Sequence, residues 1–441
     1  MTSFFHAYDL RGTFPEEIGE EEAEKVGKAF GTFMEGKILV GRDGRSHGKK
    51  VTEAFLDGVM STGTDVLDAG RVPTPVIYYG TRELQVAGSA VVTASHNPPE
   101  YTGFKFCKQD ALAMSREGGM ERIEEIYEQE AFDEGTGTRR EVELVQDYIE
   151  FVASKIQLEA EVSVAVNFGN GIASAVGEEL LEVIGCEVDG MNDTVDGEFP
   201  NHLPDPGSQE AQEQLRDFMG DQELGILIDG DGDRAGFMVD GDYIEEDRVL
   251  SLFAVESLER EKGKVVHDLR ASKLVPEKVR ENGGKPVETR VGHTFISEKI
   301  HSDSDIVFAG ELSGHYYFPA FDVPYDDGLF AAALMCRIAS ERDLEEAFSG
   351  MPEYPVSPEL RIDCPEDAKQ EVVEKVRERF SDHRLSTVDG VKIYFDGGWA
   401  LVRPSNTEPK MSVRCEADTE ERLGEILEMV ESSVRSFIDE A

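Results

Sequence analysis

Four short loops in this chain carry residue types that can do chemistry. In TASHNPPEYTGFK, residues 93–105, Ser95 follows an apolar run and precedes Asn-Pro-Pro, which continues neither strand nor helix, so its hydroxyl is presented in a sharp turn. A strand-end serine can act as a nucleophile, or with Asn97 it can simply cap the turn; the flanks lack the GxSxG elbow of serine hydrolases. In LIDGDGDR, residues 227–234, Asp229, Asp231 and Asp233 alternate with glycines. Glycine lets the backbone fold tightly enough for alternate carboxylates to converge on one hard cation such as magnesium, and Arg234 beside it suits phosphoryl oxygens. An EF-hand is disfavoured, because Arg234 stands at the sixth position, where glycine is required, and Asp240 at the twelfth, where glutamate is.

In GELSGH, residues 310–315, Glu311, Ser313 and His315 alternate as acceptors and donors that fit sugar hydroxyls, although His315 reads equally as a satisfied loop histidine. In RPSNTEPK, residues 403–410, Arg403, Ser405, Asn406, Thr407 and the backbone amides can wrap a phosphate that is held but not reacted. A capping box from Ser405 to Glu408 is the rival, but the residues that follow alternate as a strand.

Each loop needs an element to aim it. Apolar runs ending in Gly or Asp recur at KILVGRD (37–43), SAVVTAS (89–95), VSVAVNFGNG (162–171), ELGILIDGDGD (223–233) and DIVFAGE (305–311), separated by helical patterns. That is the rhythm of α/β units with function at strand ends, and its recurrence hints at repeated domains. The last 80 or so residues read as α+β: a helical stretch with Val373, Val376 and Phe380 on one face, strands VKIYF, GWALVR and MSVRCEA, and a closing helix with Leu423, Ile426, Leu427, Val430, Val434, Phe437 and Ile438 at helical spacing. Asp418 and Glu421 are expected to form that helix's capping box. GMPEYPVSP, near 350–358, reads as the linker into this domain, with weaker seams near 133–146 and 240–247.

Taken together and in this order, TASHNP, DGDGDR, GELSGH and RPSNTEP resemble the four signature loops of the α-D-phosphohexomutase family, in its phosphomannomutase/phosphoglucomutase branch. AYDLRG and GRDGRSHG near the N-terminus are similar to the same family's opening motifs. The resemblance implies three related α/β domains and a C-terminal α+β domain around a central cleft, divided as 1–145, 146–245, 246–355 and 356–441. It implies that Ser95 is carried as phosphoserine and that Mg2+ is held by Asp229, Asp231, Asp233 and a phosphoryl oxygen on Ser95. The phosphoserine would pass its phosphoryl group to a hexose phosphate of mannose or glucose, making a hexose 1,6-bisphosphate, which also serves as activator, and would recover a phosphoryl group from the other end. By the same resemblance Lys105 and His293 are the general base and acid, with Arg11 near the phosphoserine; Glu311, Ser313 and His315 hold the sugar, and Arg403, Ser405, Asn406 and Thr407 the distal phosphate. Lys105 would serve as a base only if its pKa fell toward neutrality, for which nearby arginines are the expected cause. Leu312 and Asn406 depart from the glucosamine-specific pattern and lean toward mannose and glucose, and Asn167 replaces the more usual Asp of a second-domain loop.

Two other readings compete. A magnesium-dependent phosphatase of the haloacid dehalogenase type, with Asp229 as nucleophile, leaves TASHNP and RPSNTEP unexplained; a calcium- or sugar-binding module leaves the same loops idle. Phosphoglucosamine mutase is the alternative within the family.

Composition bounds the rest. Ninety-one Asp and Glu against 44 Lys and Arg give a formal charge of −47, which excludes general nucleic-acid binding and adhesion to anionic lipid. A hydrophobic content of 39% is ample for packed cores, so the acid reads as a solvated surface suited to a salt-rich cytosol, as in a halophilic archaeon. Cys107, Cys186, Cys336, Cys364 and Cys415 are scattered and never spaced as CxxC, so reduced thiols are expected. The N-terminus lacks a signal-peptide pattern and no apolar run approaches a membrane span, which points to the cytoplasm; monomer and homo-oligomer stay open. A dianionic substrate approaching so acidic a chain needs local cations, and GRDGRSHGKK (41–50), with Arg42, Arg45, Lys49 and Lys50, is expected to supply them.

Overall fold

A computed structural model describes residues 4–6, 8–405 and 409–440; Asn406 and Thr407 of the presumed phosphate loop lie outside the described residues. Four sheets follow one another along the chain. In the first, Gly88–Val92 runs parallel to Ile38–Arg42, which runs parallel to Val66–Arg71, and the chain returns antiparallel through Tyr101–Lys108. In the second, Leu224–Ile228 pairs in parallel with Val162–Asn167, itself parallel to Cys186–Met191, and Ala235–Val239 returns antiparallel. In the third, Ile306–Gly310, Lys264–Asp268 and Lys285–Thr289 are parallel and Tyr316–Phe318 returns. The three units share one spatial order, so the recurring strand-and-glycine pattern of the sequence corresponds to a repeated topology. Their central strands are buried along their length because helices cover both faces of a parallel sheet, which is why they read as continuous apolar runs.

One consequence decides the site. The loops after Gly88–Val92, Leu224–Ile228 and Ile306–Gly310 all join the third strand of a unit to its antiparallel return, so Ser95, the three aspartates and Glu311 occupy equivalent places in three copies of one topology. These lie at the carboxyl ends of parallel strands, where open α/β sheets bind ligands.

The C-terminal domain is an antiparallel sheet in the order Leu360–Asp363, Lys410–Ala417, Gly398–Pro404, Val391–Phe395, Arg384–Ser386, backed by helices Lys369–Arg379 and Glu420–Asp439. The expected apolar face of its last helix packs on this sheet. The expected capping box is corrected: Thr419 is the N-cap, its hydroxyl accepting from Arg422 N, while Asp418 reaches out to the Lys273 ammonium. One apolar cluster runs through the first three domains, from Leu39 to Phe348, beside separate clusters within each of them, whereas the last domain has its own. Among the described residues the apolar contact between the third and fourth domains is a small patch of Leu269, Trp399 and Leu401, with Tyr394 against it. Polar contacts edge that patch: Lys392 Nζ donates to Leu269 O at 2.8 Å, and Trp399 Nε1 and Lys273 N both donate to Glu416 Oε1 at 2.9 Å. The five cysteines are unpaired and buried. Among the described residues no helix is long and apolar enough to cross a membrane.

Candidate active site

Ser95 is fully buried and sits at φ 49°, in the left-handed region that strains a residue with a side chain. The neighbouring chain holds it there. Ser95 N donates to Thr93 Oγ1 at 2.9 Å, and Thr93 Oγ1 donates to Asp43 Oδ2 at 2.7 Å. Arg45, buried and paired with Asp43 at 3.2 Å, donates to the carbonyls of Ser95, Asn97, Pro98 and Tyr101 at 2.6–3.0 Å. The serine loop is thus wound around one guanidinium.

The acidic loop from the second domain meets the serine loop directly. Gly230 lies so close to it that a Cβ there would stand 2.5 Å from Ser95 O. Ser95 Oγ donates to Asp229 Oδ2 at 2.8 Å and lies 3.1 Å from His96 Nδ1. Asp229 Oδ1 accepts from Gly232 N and Arg234 N, which fixes its orientation. Thr74 Oγ1 and Lys105 Nζ donate to Asp231 Oδ2 at 2.7 and 2.8 Å, and Lys105 also pairs with Asp233. All three carboxylates are fully buried and able to converge on one ion, and Asp231 Oδ1 and Asp233 Oδ1 have no hydrogen-bond partner. Burial, followed by repulsion from Asp231 and Asp233, pushes the Asp229 carboxyl well above the ordinary range. Orphaned buried oxygens and a carboxylate driven toward protonation are the features a divalent oxygen-seeking cation relieves, so the donor set fits magnesium.

The third domain closes the other side. Gly328 backs the acidic loop so tightly that a Cβ would stand 2.5 Å from Arg234 O. Arg234 Nε donates to His315 Nε2 at 3.1 Å, and His315 Nδ1 lies 2.8 Å from Ser313 Oγ and 3.3 Å from Glu311 Oε2. Glu311 Oε1 accepts from Gly292 N at 2.6 Å. His293 stacks 5.7 Å from His315, centroid to centroid, with its Nδ1 3.6 Å from Asp326 Oδ2. Burial opposes protonation of His293, but Asp326 outweighs it and lifts the imidazole above its ordinary pKa. The reverse holds for His96, where burial and then Arg234 and Arg11 depress the pKa to about 2, leaving a neutral ring beside the serine. Arg11 Nη1 donates to Asn97 Oδ1 at 2.7 Å, and its buried Nε lacks a partner.

The fourth loop stands apart. Arg403 pairs with Asp389 at 3.6 Å within its own domain, and Ser405 O accepts from the buried Lys369 Nζ at 2.8 Å. A cavity of about 670 Å³ separates Asp389, Gly390 and Pro404 from Tyr8, Arg116 and Arg290 of the first and third domains, which is room for a sugar phosphate.

Similarity to known proteins agrees with this geometry over the whole chain. Residues 2–134, 146–242 and 245–354 match models of phosphoglucomutase/phosphomannomutase α/β/α domains I, II and III, and residues 359–433 match the C-terminal domain of that family. The chain belongs to the phosphoglucomutase/phosphomannomutase family. It is 35% identical over 439 residues to phosphomannomutase/phosphoglucomutase of Pseudomonas aeruginosa, covering 96% of this chain and 94% of that protein. It is also 35% identical to a phosphomannomutase of Methanocaldococcus jannaschii, covering 98% and 97%. Among solved structures, a phosphoglucomutase/phosphomannomutase family protein from Burkholderia thailandensis superposes with a TM-score of 0.92 at 31% identity over 99% of this chain and 98% of that one.

Two expectations need correction within this family frame. Lys105 is surrounded by carboxylates rather than arginines: burial disfavours its charge, but Asp231 and Asp233 more than compensate and hold the ammonium firmly protonated. The cationic run GRDGRSHGKK does not form one phosphate landing: Arg45 is spent on loop carbonyls, while Lys49 and Lys50 lie exposed on the helix Gly48–Ser61. Asn167 is structural, its Oδ1 accepting from Gly169 N and Asn192 Nδ2 at 3.0 Å. Sequence reasoning missed His96, Asp326 and Arg270, whose guanidinium pairs with Asp268 at 2.8 Å, the carboxylate that also accepts from Leu312 N of the GELSGH loop. His96 could have been noticed from its place beside Ser95; Asp326 carries no local signal, because only the fold sets it against two histidines.

Proposed function

We propose that Ser95 is the phosphoryl carrier of a hexose-phosphate mutase and that the groups around it take the roles that follow. The chain is an isomerase that moves a phosphoryl group between the 1- and 6-positions of mannose or glucose phosphates through a phosphoserine and a hexose 1,6-bisphosphate. One observation supports the assignment of residues above the rest: a buried, backbone-strained serine hydroxyl donates at 2.8 Å to one of three converging carboxylates from another domain, two of which keep an oxygen free.

Magnesium held by Asp229, Asp231 and Asp233 would supply charge neutralisation at the transferring phosphoryl group. Arg234, 4.0 Å from Asp229, adds positive charge at the same place, Arg11 lies beside the serine loop on Asn97, and the protonated Lys105 is a donor rather than a base in this arrangement. His293, protonated on the far side, is the acid that returns a proton, and the same imidazole takes one in the reverse half-reaction. Glu311, Ser313 and His315 hold the sugar hydroxyls, and the loop from Arg403 holds the phosphate that is not reacting. The 1–145, 146–245 and 246–355 domains act as one body on their shared core, and 356–441 closes over the cleft to exclude water that would hydrolyse phosphoserine. The acidic surface supports a salt-rich cytoplasm as the working environment, as in a halophilic archaeon.

The test is Ser95→Ala, assayed with mannose, glucose and glucosamine 1-phosphates, magnesium and activating bisphosphate. Isomerisation disappears for all three sugars while the fold is kept; normal turnover by the variant removes Ser95 from this role.

A further inference from the structure

The first sheet places two arginines together where the active site does not use them. Ile38–Arg42 and Val66–Arg71 run in parallel, with Ile38, Leu39 and Val40 opposite Val66, Leu67 and Asp68. The register then slips: one extra residue in the second strand puts Arg71, rather than Gly70, opposite Arg42. Gly70 takes φ 70° at the slip. A bulge of this kind re-aims a side chain. Here it sets two guanidinium side chains on neighbouring parallel strands whose backbones lie about 4.8 Å apart, at the carboxyl ends where open α/β sheets bind ligands.

Like charges side by side on adjacent strands repel, so the arrangement costs stability unless something lies between them. Burial and then Arg71 pull the Arg42 guanidinium below its ordinary pKa, and Asp43, Asp68 and Glu53 do not restore it. Neither arginine is neutralised. Arg42 Nη1 donates to Asp43 O at 3.3 Å, and among the described residues neither Arg71 nor Lys49 makes a side-chain hydrogen bond or an ion pair. Two of the neighbouring acids are already taken, because Arg139 pairs with Glu53 at 2.7 Å and with Asp68 at 2.6 Å.

These side chains line one cavity of about 480 Å³, and no residue placed in the active site lines it. The exposed Glu141 and Glu143 complete its charges, giving four cations to four acids in a chain that carries 44 to 91. With Glu53 and Asp68 held by Arg139, the free charge is three cations against two solvated glutamates. Guanidinium forks match the oxygens of a phosphate group, and a dianion between two of them turns their repulsion into attraction.

We propose that Arg42, Arg71 and Lys49 form a phosphate-binding site outside the catalytic cleft, which takes inorganic phosphate or the phosphate group of a small monoester. The cavity is large enough for the organic part of such an ester.

The experiment titrates the full-length protein by calorimetry with inorganic phosphate and, separately, with glycerol phosphate, at fixed KCl and with chelator present. Because the cleft is expected to take phosphate groups as well, the titrations compare the wild type with Arg403→Gln and Arg71→Gln. Arg403→Gln is expected to keep one phosphate per chain at unchanged affinity. Arg71→Gln and Arg42→Met each weaken that binding by about tenfold, while mutase turnover in Arg71→Gln stays at the wild-type level, which a general loss of structure would not allow. Phosphate bound with the ester refused assigns the free ion, and tighter binding of the ester assigns the ester. Refusal of both, or binding that follows Arg403 and ignores Arg71, overturns the site. Should Arg42→Met disturb the adjoining Asp43, the exposed Arg71 carries the test. Calorimetry reads binding alone, so the result stands whether or not Ser95 is the phosphoryl carrier.

Discussion

Arg45 offers the sharpest test of how the serine loop is built. Its guanidinium supplies the partner for four loop carbonyls and for Asp43, which is almost wholly buried. Replacing it with Met keeps the volume and removes the charge, stranding Asp43 with only the Thr93 hydroxyl and one backbone N–H. Breaking a buried pair from one side costs about 3–5 kcal/mol, most of it the uncompensated charge. Arg45→Met is therefore expected to lower unfolding free energy by about that amount, read by far-UV circular dichroism in urea at constant KCl. Adding Asp43→Asn removes the stranded charge, so the double variant should be more stable than Arg45→Met alone by about 1–2 kcal/mol, short of the full loss because the carbonyls stay unpaired. Turnover in both falls by about 100-fold, because a serine shifted by 1 Å or so no longer lies in line. A double variant that loses the sum of the two single losses would refute the stranded-charge reasoning, and unchanged turnover in Arg45→Met would refute the clamp.

Other outcomes follow from the same structure. Burial pushes the Asp327 carboxyl to about 7, above its unfolded value, so the native state holds a proton that the unfolded chain has lost between pH 4 and 7. That contribution to stability is present below the unfolded pKa and fades as pH rises through about 7; Asp327→Asn keeps the helix cap and should gain on the wild type by up to about 4 kcal/mol between pH 4 and pH 8, measured as urea midpoints at both pH values. Magnesium added to chelator-stripped protein should raise its Tm, by the equivalent of about 2.7 kcal/mol at a hundredfold excess over Kd, and Asp231→Asn should abolish the increment; an equal rise in the variant means the ion binds elsewhere. Raising KCl from 0.1 to 1 M shortens the Debye length from about 10 to about 3 Å and should raise Tm by relieving repulsion among the surface acids; equal stability at both salts would end the salt-adaptation reading.

Much of the site was legible because it sits in continuous loops. TASHNP, DGDGDR and GELSGH each follow an apolar strand, and strand-end geometry is local enough to read from residue types. What the sequence hid depends on contacts made across domains. Asp326 is an ordinary acid in VPYDD until the third sheet sets it against His293 and His315, and Lys105 is a cation of unknown company until Asp231 and Asp233 arrive from the second domain. Arg45 looked like a phosphate ligand because charge is visible in sequence and burial is not. The return strands Tyr101–Lys108, Ala235–Val239 and Tyr316–Phe318 begin so close behind the loops that turn residues masked them. Thr419 rather than Asp418 caps the last helix because Asp418 is drawn off by Lys273 in the neighbouring domain.

The seam between the third and fourth domains has a consequence for watching the enzyme work. The only tryptophan in the chain, Trp399, is buried there against Leu269, with its indole N–H on Glu416 and the Lys392 ammonium 4.3 Å above the ring. A swing of the last domain would part that indole from Leu269 and wet it, while Lys392 and Glu416, on strands of the same sheet as Trp399, would travel with it. The protein therefore carries its one tryptophan at this seam, where it can be excited apart from the twelve tyrosines, so a movement of the last domain would be timed in the unlabelled enzyme separately from the chemistry at Ser95.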